Sequence, residues 1–182
     1  MIKFWSNSIL RIDAIYKTNI NNSQQSIKID KITINIGLKS IIDEPKMILY
    51  PLISTKLITN QNPTVCKARK SIALLKLRKG MLTGTKVALR KDVAFNFLNL
   101  FIFIILPNHR DFDFYNLNDK GCLSIGLKNL FIFPQLNPFY DRFPKDMACT
   151  INVNLNTKNK HYAILFYTGL NLFINYKTIG AF

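Results

Sequence analysis

The residues of this chain best suited to chemistry are cations, and they are concentrated in one place. The segment from Lys67 to Lys91 reads KARKSIALLKLRKGMLTGTKVALRK. Its 25 residues hold Lys67, Arg69, Lys70, Lys76, Arg78, Lys79, Lys86, Arg90 and Lys91, and neither Asp nor Glu. Charge runs are usually solvated faces. Here no acid balances the run, and like charges this close repel unless anions neutralise them. Gly80 and Gly84 flank an apolar tip. The pattern predicts a long loop between two strands that projects Lys and Arg towards phosphates.

Other chemistry is thinly represented. His109 and His161 are the only histidines, and neither sits at a metal-binding spacing with a second ligand. A turn or a salt bridge to Arg110 explains Asp111 and Asp113 more simply than an acid–base pair does. Gly80-x-x-x-Gly84 lacks the following Lys-Ser/Thr of a nucleotide-phosphate loop. Cys66, Cys122 and Cys149 are odd in number and widely spaced, which reads as thiols in a reducing compartment. Scattered aromatics such as Tyr115, Phe131, Phe133 and Tyr140 read as core. The sequence therefore predicts no catalytic site, no metal and no cofactor.

The elements that must position the cations come next. The 182 residues carry 25 Lys+Arg against 10 Asp+Glu, a net charge of +15. Outside the basic segment, 16 cations face 10 acids over 157 residues. A 48% hydrophobic content excludes a disordered basic tail, and the charge calls for a polyanionic partner. The chain has 25 Ile, 20 Asn and 19 Lys but only 6 Arg. That bias matches AT-rich coding, as in organelles and endosymbionts. Trp5, Ile9, Ile12 and Tyr16 at helical spacing resemble a presequence, but a short amphipathic helix belonging to the domain explains them better.

Residues 1–20 read as helix and Asn19 to Ser26 as a polar linker. Ile27 to Ile36 reads as strand with a phase shift, ended by Gly37. Residues 44–59 carry a helical stripe of Met47, Ile48, Leu49, Leu52, Ile53 and Leu57, interrupted by Pro51. Pro63 to Lys70 and Lys86 to Arg90 read as extended. Asp92 is placed to cap a helix from Val93. The apolar run Val93 to Leu106 reads as a buried helix passing into a strand, too short to span a membrane. Phe131 to Pro134 reads as extended, Ile151 to Leu155 as a strand with one wet face, and 158–169 as a helix ending at Gly169. The expected class is α+β: an antiparallel sheet with helices packed mainly on one face and a long basic loop between two strands. The expected organisation is an N-terminal helix and linker over 1–26, a domain over 27–173 with the basic hairpin at 63–91, and an extension over 174–182.

Taken in chain order, several blocks resemble one family. Asn62-Pro-Thr-Val-Cys-Lys-Ala-Arg-Lys-Ser-Ile-Ala73, Lys76-Leu-Arg-Lys-Gly80 and Gly84-Thr-Lys-Val-Ala-Leu-Arg90 are similar to universal large-subunit ribosomal protein five, which binds 5S ribosomal RNA. Lys31-Ile-Thr-Ile-Asn-Ile-Gly37, Leu106-Pro-Asn-His-Arg-Asp-Phe112 and Gly126-Leu-Lys-Asn-Leu-Phe-Ile-Phe-Pro134 are in register with it, so the resemblance covers roughly 1–173. It implies a structural, non-enzymatic role in the large subunit. The implied partners are 5S rRNA and large-subunit rRNA, the peptidyl-site tRNA, neighbouring central-protuberance proteins and a small-subunit head protein. By motif, Asn35, Gln61, Lys67, Arg69, Lys70, Lys86 and Arg90 correspond to rRNA-binding positions. Ser71, Lys76, Arg78, Lys79 and Gly80 correspond to the tRNA-facing loop. With the AT bias, the implied location is a mitochondrial ribosome in the matrix, served by an organelle gene. The alternatives are another AT-rich organelle or an endosymbiont and, for function, a peripheral basic protein on an organelle membrane.

The chain also departs from the family pattern. Leu74 stands where the family has a glycine in the loop, which is expected to cost backbone freedom there, and Lys91 replaces another usual glycine. Ala88 replaces a hydroxyl residue on the RNA-facing strand. The segment after Phe112 is short and lacks the family's Arg-Gly step, Pro51 sits in a helix that usually has none, and Ile174 to Phe182 runs past the family's usual end.

Overall fold

A computed structural model describes residues 1–18, 25–108, 116–118, 121–144, 147–157 and 159–172. Most of the polar linker, the His109–Asp113 cluster with Tyr115, and the 174–182 extension lie outside the described residues. The fold is α+β. Six strands form one antiparallel sheet in the order β2-β3-β1-β6-β5-β4. They are β1 (Ile29–Gly37), β2 (Thr64–Lys67), β3 (Leu82–Leu89), β4 (Asn116–Leu117), β5 (Leu123–Leu127) and β6 (Ala148–Leu155). The helices are α1 (residues 2–18), α2 (Leu49–Thr59), α3 (Lys91–Asn108) and α4 (Lys160–Gly169). The chain divides into two compact units: Thr33–Ala88 with Gly126–Ile151, and Met1–Ile32 with Leu89–Ile125 and Asn152–Phe182.

In the unit built from Thr33–Ala88 and Gly126–Ile151, alternation sets the sheet faces. Ile34, Ile36, Val87, Cys149 and Ile151 point inward, and the intervening residues are exposed or half-buried. Ile32 continues this phase in β1, whereas Ile27, also buried, precedes the strand. The phase shift read from the sequence is thus a strand start at Ile29.

Helix α2 does not use the stripe expected of it. Leu49 and Ile53 are exposed, and the buried residues are Pro51, Ser54, Thr55, Ile58 and Thr59. The hydroxyls can face inward because each finds a carbonyl. Ser54 Oγ donates to Tyr50 O at 2.7 Å, Thr59 Oγ1 to Thr55 O at 2.7 Å, and Thr55 Oγ1 to Pro51 O. Thr85 Oγ1 of β3 donates to Pro51 O at 3.3 Å and lies 3.3 Å from Thr55 Oγ1. Once so paired, a buried Thr packs like a small apolar residue. Pro51 does not interrupt the helix. It lies in the first turn, where backbone N–H groups have no partner in the helix anyway. Phe131 to Pro134 is not extended: the 3-10 turns Leu130–Ile132 and Pro134–Phe139 occupy it, joined at the extended Phe133.

In the other unit, α1 is held at both ends of its first turns. The Ile2 N–H donates to Asn99 Oδ1 at 3.2 Å, and Trp5 Nε1 donates to Gly169 O at 3.2 Å. Helix α3 is one continuous helix of 18 residues, so the expected passage into a strand is wrong and the length argument against a membrane span falls. Among the described residues it is the one helix long and apolar enough to cross a membrane. Its buried residues nonetheless follow a core stripe: Ala94, Phe97, Leu98, Phe101 and Ile105. The β-prone run Phe101–Ile105 is absorbed as a π turn, with Leu106 N–H bonded to Phe101 O. Asp92 does not cap α3. The cap position is Arg90, and Asp92 sits in the first turn, ion-paired to Lys3 at 2.5 Å. In α4, Tyr167 is buried, and its hydroxyl donates to Val153 O at 2.8 Å, shared with Gly121 O at 3.2 Å.

Candidate nucleic-acid interface

The open face of the sheet is built by the residues that alternate with the core. On β1 it presents Asn35, exposed between the buried Ile34 and Ile36. On β3 it presents Lys86 and Ala88, exposed on either side of the buried Val87. Thr64 pairs with Lys86, and its hydroxyl donates to Lys86 O at 3.0 Å. Gln61 comes after α2, which Asn60 closes in the left-handed conformation at φ +54°. The Gln61 N–H donates to Thr59 Oγ1 at 3.3 Å, so its position is fixed by the helix end. Ala88 leaves a side-chain gap on this face with no hydroxyl to offer.

The loop between β2 and β3 grows from an irregularity. The pairing runs Cys66↔Gly84 and then Lys67↔Leu82, leaving Thr83 without an opposite partner. Such a bulge bends the strand and turns the adjoining loop in a new direction. Thr83 Oγ1 donates to Cys66 O at 3.1 Å and pins the bend. Gly84 is therefore inside β3 and does not flank the tip. A Cβ there would lie 3.1 Å from Gly37 Cα and 3.3 Å from the Ile36 carbonyl carbon, with the Ile36 oxygen closer still.

Beyond the bulge the loop is ordered by its own backbone. Ala68 N–H donates to Met81 O at 2.8 Å, and Gly80 N–H to Ala68 O at 2.9 Å. Further out, Ile72 and Leu77 exchange both bonds, at 2.9 and 3.1 Å. The turn between them, Ala73–Leu75, closes with Lys76 left-handed at φ +55°. Gly80 takes φ +92°, which suits a glycine. Leu74 is not at a left-handed position, so the backbone restriction expected there falls on Lys76 instead. Lys91 also takes a left-handed φ, +51°.

Lys67, Arg69, Lys70, Lys76, Arg78, Lys79 and Lys86 are all on the surface, and Arg69 and Arg78 lie beside the paired backbone of the arm. Arg90 and Lys91 are exposed at the start of α3. Among the described residues, the two close ion pairs engage Lys3 and Lys17, and none of the nine basic-segment cations has an acidic partner. Ser71 serves the loop itself: its Oγ accepts the Lys79 N–H at 3.0 Å. Residues that sequence reasoning missed are Thr64 and Thr83, whose hydroxyls lock the strand pair, and Leu74, 93% exposed at the tip. Strand alternation could have placed Thr64. Nothing in the sequence signals the Thr83 bulge.

The remaining chemistry is quiet. Among the described residues no three His, Cys, Asp or Glu side chains form a metal-holding group. Burial pushes the Cys149 thiol up to about 12, so it stays protonated and unreactive.

Comparison with known proteins matches this architecture along its length. Residues 22–78 match the family model for ribosomal protein L5, and residues 82–172 match the model for the C-terminus of the same ribosomal family. The large ribosomal subunit protein uL5m of Reclinomonas americana is 38% identical over 170 residues, covering 92% of this chain and 93% of that protein. The large ribosomal subunit protein uL5 of Geotalea daltonii is 37% identical over 144 residues, covering 78% of this chain and 79% of the relative. That of Buchnera aphidicola subsp. Baizongia pistaciae is 36% identical over 157 residues, covering 85% of each. A six-stranded α+β fold carrying one acid-free cationic loop, matched over both family models, makes this chain a member of the ribosomal protein L5 family and a protein of the large ribosomal subunit.

Proposed function

We propose that the chain is a structural constituent of a mitochondrial large subunit that anchors 5S rRNA and large-subunit rRNA in the central protuberance. In this reading Asn35, Gln61, Lys67, Arg69, Lys70, Lys86 and Arg90 contact rRNA. The loop with Ser71, Lys76, Arg78, Lys79 and Gly80 reaches the peptidyl-site tRNA. Adjacent surfaces meet neighbouring central-protuberance proteins and a small-subunit head protein. The observation that carries the reading is the loop: among the described residues its cations have no acidic partners, and they stand on a backbone already fixed by its own hydrogen bonds. A preformed cationic arm binds phosphates without first having to order itself. The mitochondrial assignment, with a gene in the organelle's own genome, rests on the AT-coded composition and the likeness to the Reclinomonas protein.

The test is sedimentation and crosslinking. The native protein is expected with large subunits through moderate salt, with 5S rRNA among the RNA that copurifies. Crosslinks from Lys76 to Lys79 are expected on tRNA. Replacing Lys76, Arg78 and Lys79 by Ala should weaken tRNA retention and leave subunit assembly intact. Recovery of the native protein only in free or membrane fractions overturns the reading, and assembly failure in the triple variant overturns the division of roles.

A further inference from the structure

The loop tip is apolar where its flanks are cationic. Leu74 is 93% exposed, Leu75 54% and Ile72 46%, three large apolar side chains within four residues. They are presented by a turn that the backbone closes twice over, through Leu75 N–H to Ile72 O at 3.2 Å and Lys76 N–H to Ala73 O at 3.0 Å. The turn closes with Lys76 at a left-handed φ of +55°. A lysine there is strained, because a side chain at left-handed φ crowds the neighbouring carbonyl. An apolar projection held by a strained residue is a costly way to end a solvated loop.

We infer that Leu74 is a wedge: it packs on an exposed nucleobase face or ribose of the RNA whose phosphates the flanking cations neutralise. This rests on the loop being an RNA contact. The cations select a polyanion, so the occupant of the tip is the non-phosphate surface of the same molecule. Phosphates line the flanks, and Leu74, at the apex, reaches past them. Apolar side chains such as Leu and Ile are used in this way between nucleic-acid bases. In RNA the accessible base faces occur at loops, bulges and helix ends. Leu74 is the specificity element of the loop, because cations track any phosphate backbone but the apolar tip needs an exposed base face or ribose beyond it.

The experiment separates the two contributions by salt. Large subunits carrying the wild-type chain, Leu74→Ala, Leu74→Met, or the triple variant K76A/R78A/K79A are titrated with deacylated tRNA from about 50 to 200 mM monovalent salt. Leu74→Ala is expected to weaken retention about five- to tenfold at every salt, with the slope of log K against log salt unchanged. Leu74→Met is expected to restore it. The triple variant is expected to flatten the slope by about two to three. Wild-type affinity for Leu74→Ala, beside a flattened triple variant, overturns the wedge alone. A triple variant with wild-type affinity and slope overturns the loop's RNA role itself. Normal tRNA retention with impaired subunit joining in Leu74→Ala assigns the tip to a protein partner and also overturns the wedge.

Discussion

Replacing Gly84 by Ala should damage the sheet at the root of the basic loop. Gly84 is buried in β3, opposite Cys66 of β2, with the end of β1 against its other side. An added Cβ would meet the Ile36 carbonyl group and Gly37 Cα, with the oxygen nearer than the 3.0 Å that real Cβ atoms respect. All of these are backbone atoms of a strand, so no side chain can swing away. The strands must part by about half an ångström, enough to lengthen the one or two ladder bonds nearest the site beyond good geometry. Each such bond contributes about 1 kcal/mol net, and overpacking a tight site costs about 1–3 kcal/mol. The expected loss is about 2–4 kcal/mol, a large share of the stability of a domain this size. Urea unfolding of the full chain, monitored by circular dichroism, reads it as a lower midpoint with unchanged slope. Gly126→Ala is the control, because nothing lies within 4 Å of a Cβ there and its φ is not left-handed. It should be neutral, or more stable by about 0.5 kcal/mol. Equal midpoints for Gly84→Ala and wild type would refute the close approach of β3 to β1.

Particular residues carry three further expectations. Lys91→Gly should raise stability by about 1 kcal/mol in urea unfolding by relieving φ +51°, while Lys91→Ala, which removes the charge but keeps the strain, should not. Tyr167→Phe should cost about 1–2 kcal/mol in thermal or urea unfolding, because the Val153 and Gly121 carbonyls lose their buried donor. Alkylation of the native protein at about pH 8.5, near the ordinary thiol value, should modify Cys66 and Cys122 well before Cys149, as read by mass spectrometry. Of the three, Cys149 alone is fully buried, and its thiol is pushed up to about 12. The unfolded thiol ionises near 9.0, so the stability held by the neutral buried form is complete below that value and is lost as pH rises towards 12. Cys149→Ala should flatten that alkaline decline.

The parts of the fold that were legible in the sequence are those where polarity and geometry agree. Ile151 and Val153 alternate with Asn152 and Asn154, and the strand is there. The cations of the loop announce themselves because no acid is among them. Helix α2 is legible but its buried face is not, because Ser54, Thr55 and Thr59 count as polar until their hydroxyls are seen bonded to the preceding turn. The Val93–Leu106 run reads as a helix passing into a strand because its later residues favour β structure, and a helix already under way overrides that preference. At the site, charge could be read but posture could not. Lys76 holds the turn with its backbone, Ser71 accepts from Lys79, and Thr83 sits in a bulge that no residue pattern foretells.

That bulge also makes the loop a lever. From Lys67 to Leu74 the chain can reach at most about 23 Å, at roughly 3.3 Å per residue. The arm is braced along its length by the Ala68–Met81 and Ile72–Leu77 bonds, so its direction is set at its root, where Thr83 Oγ1 pins the bend to Cys66 O. A difference of about 10° in that bend is worth about 4 Å at the tip, the scale of one nucleotide's rise. The Thr83–Cys66 bond therefore sets, from the root, where the tip stands.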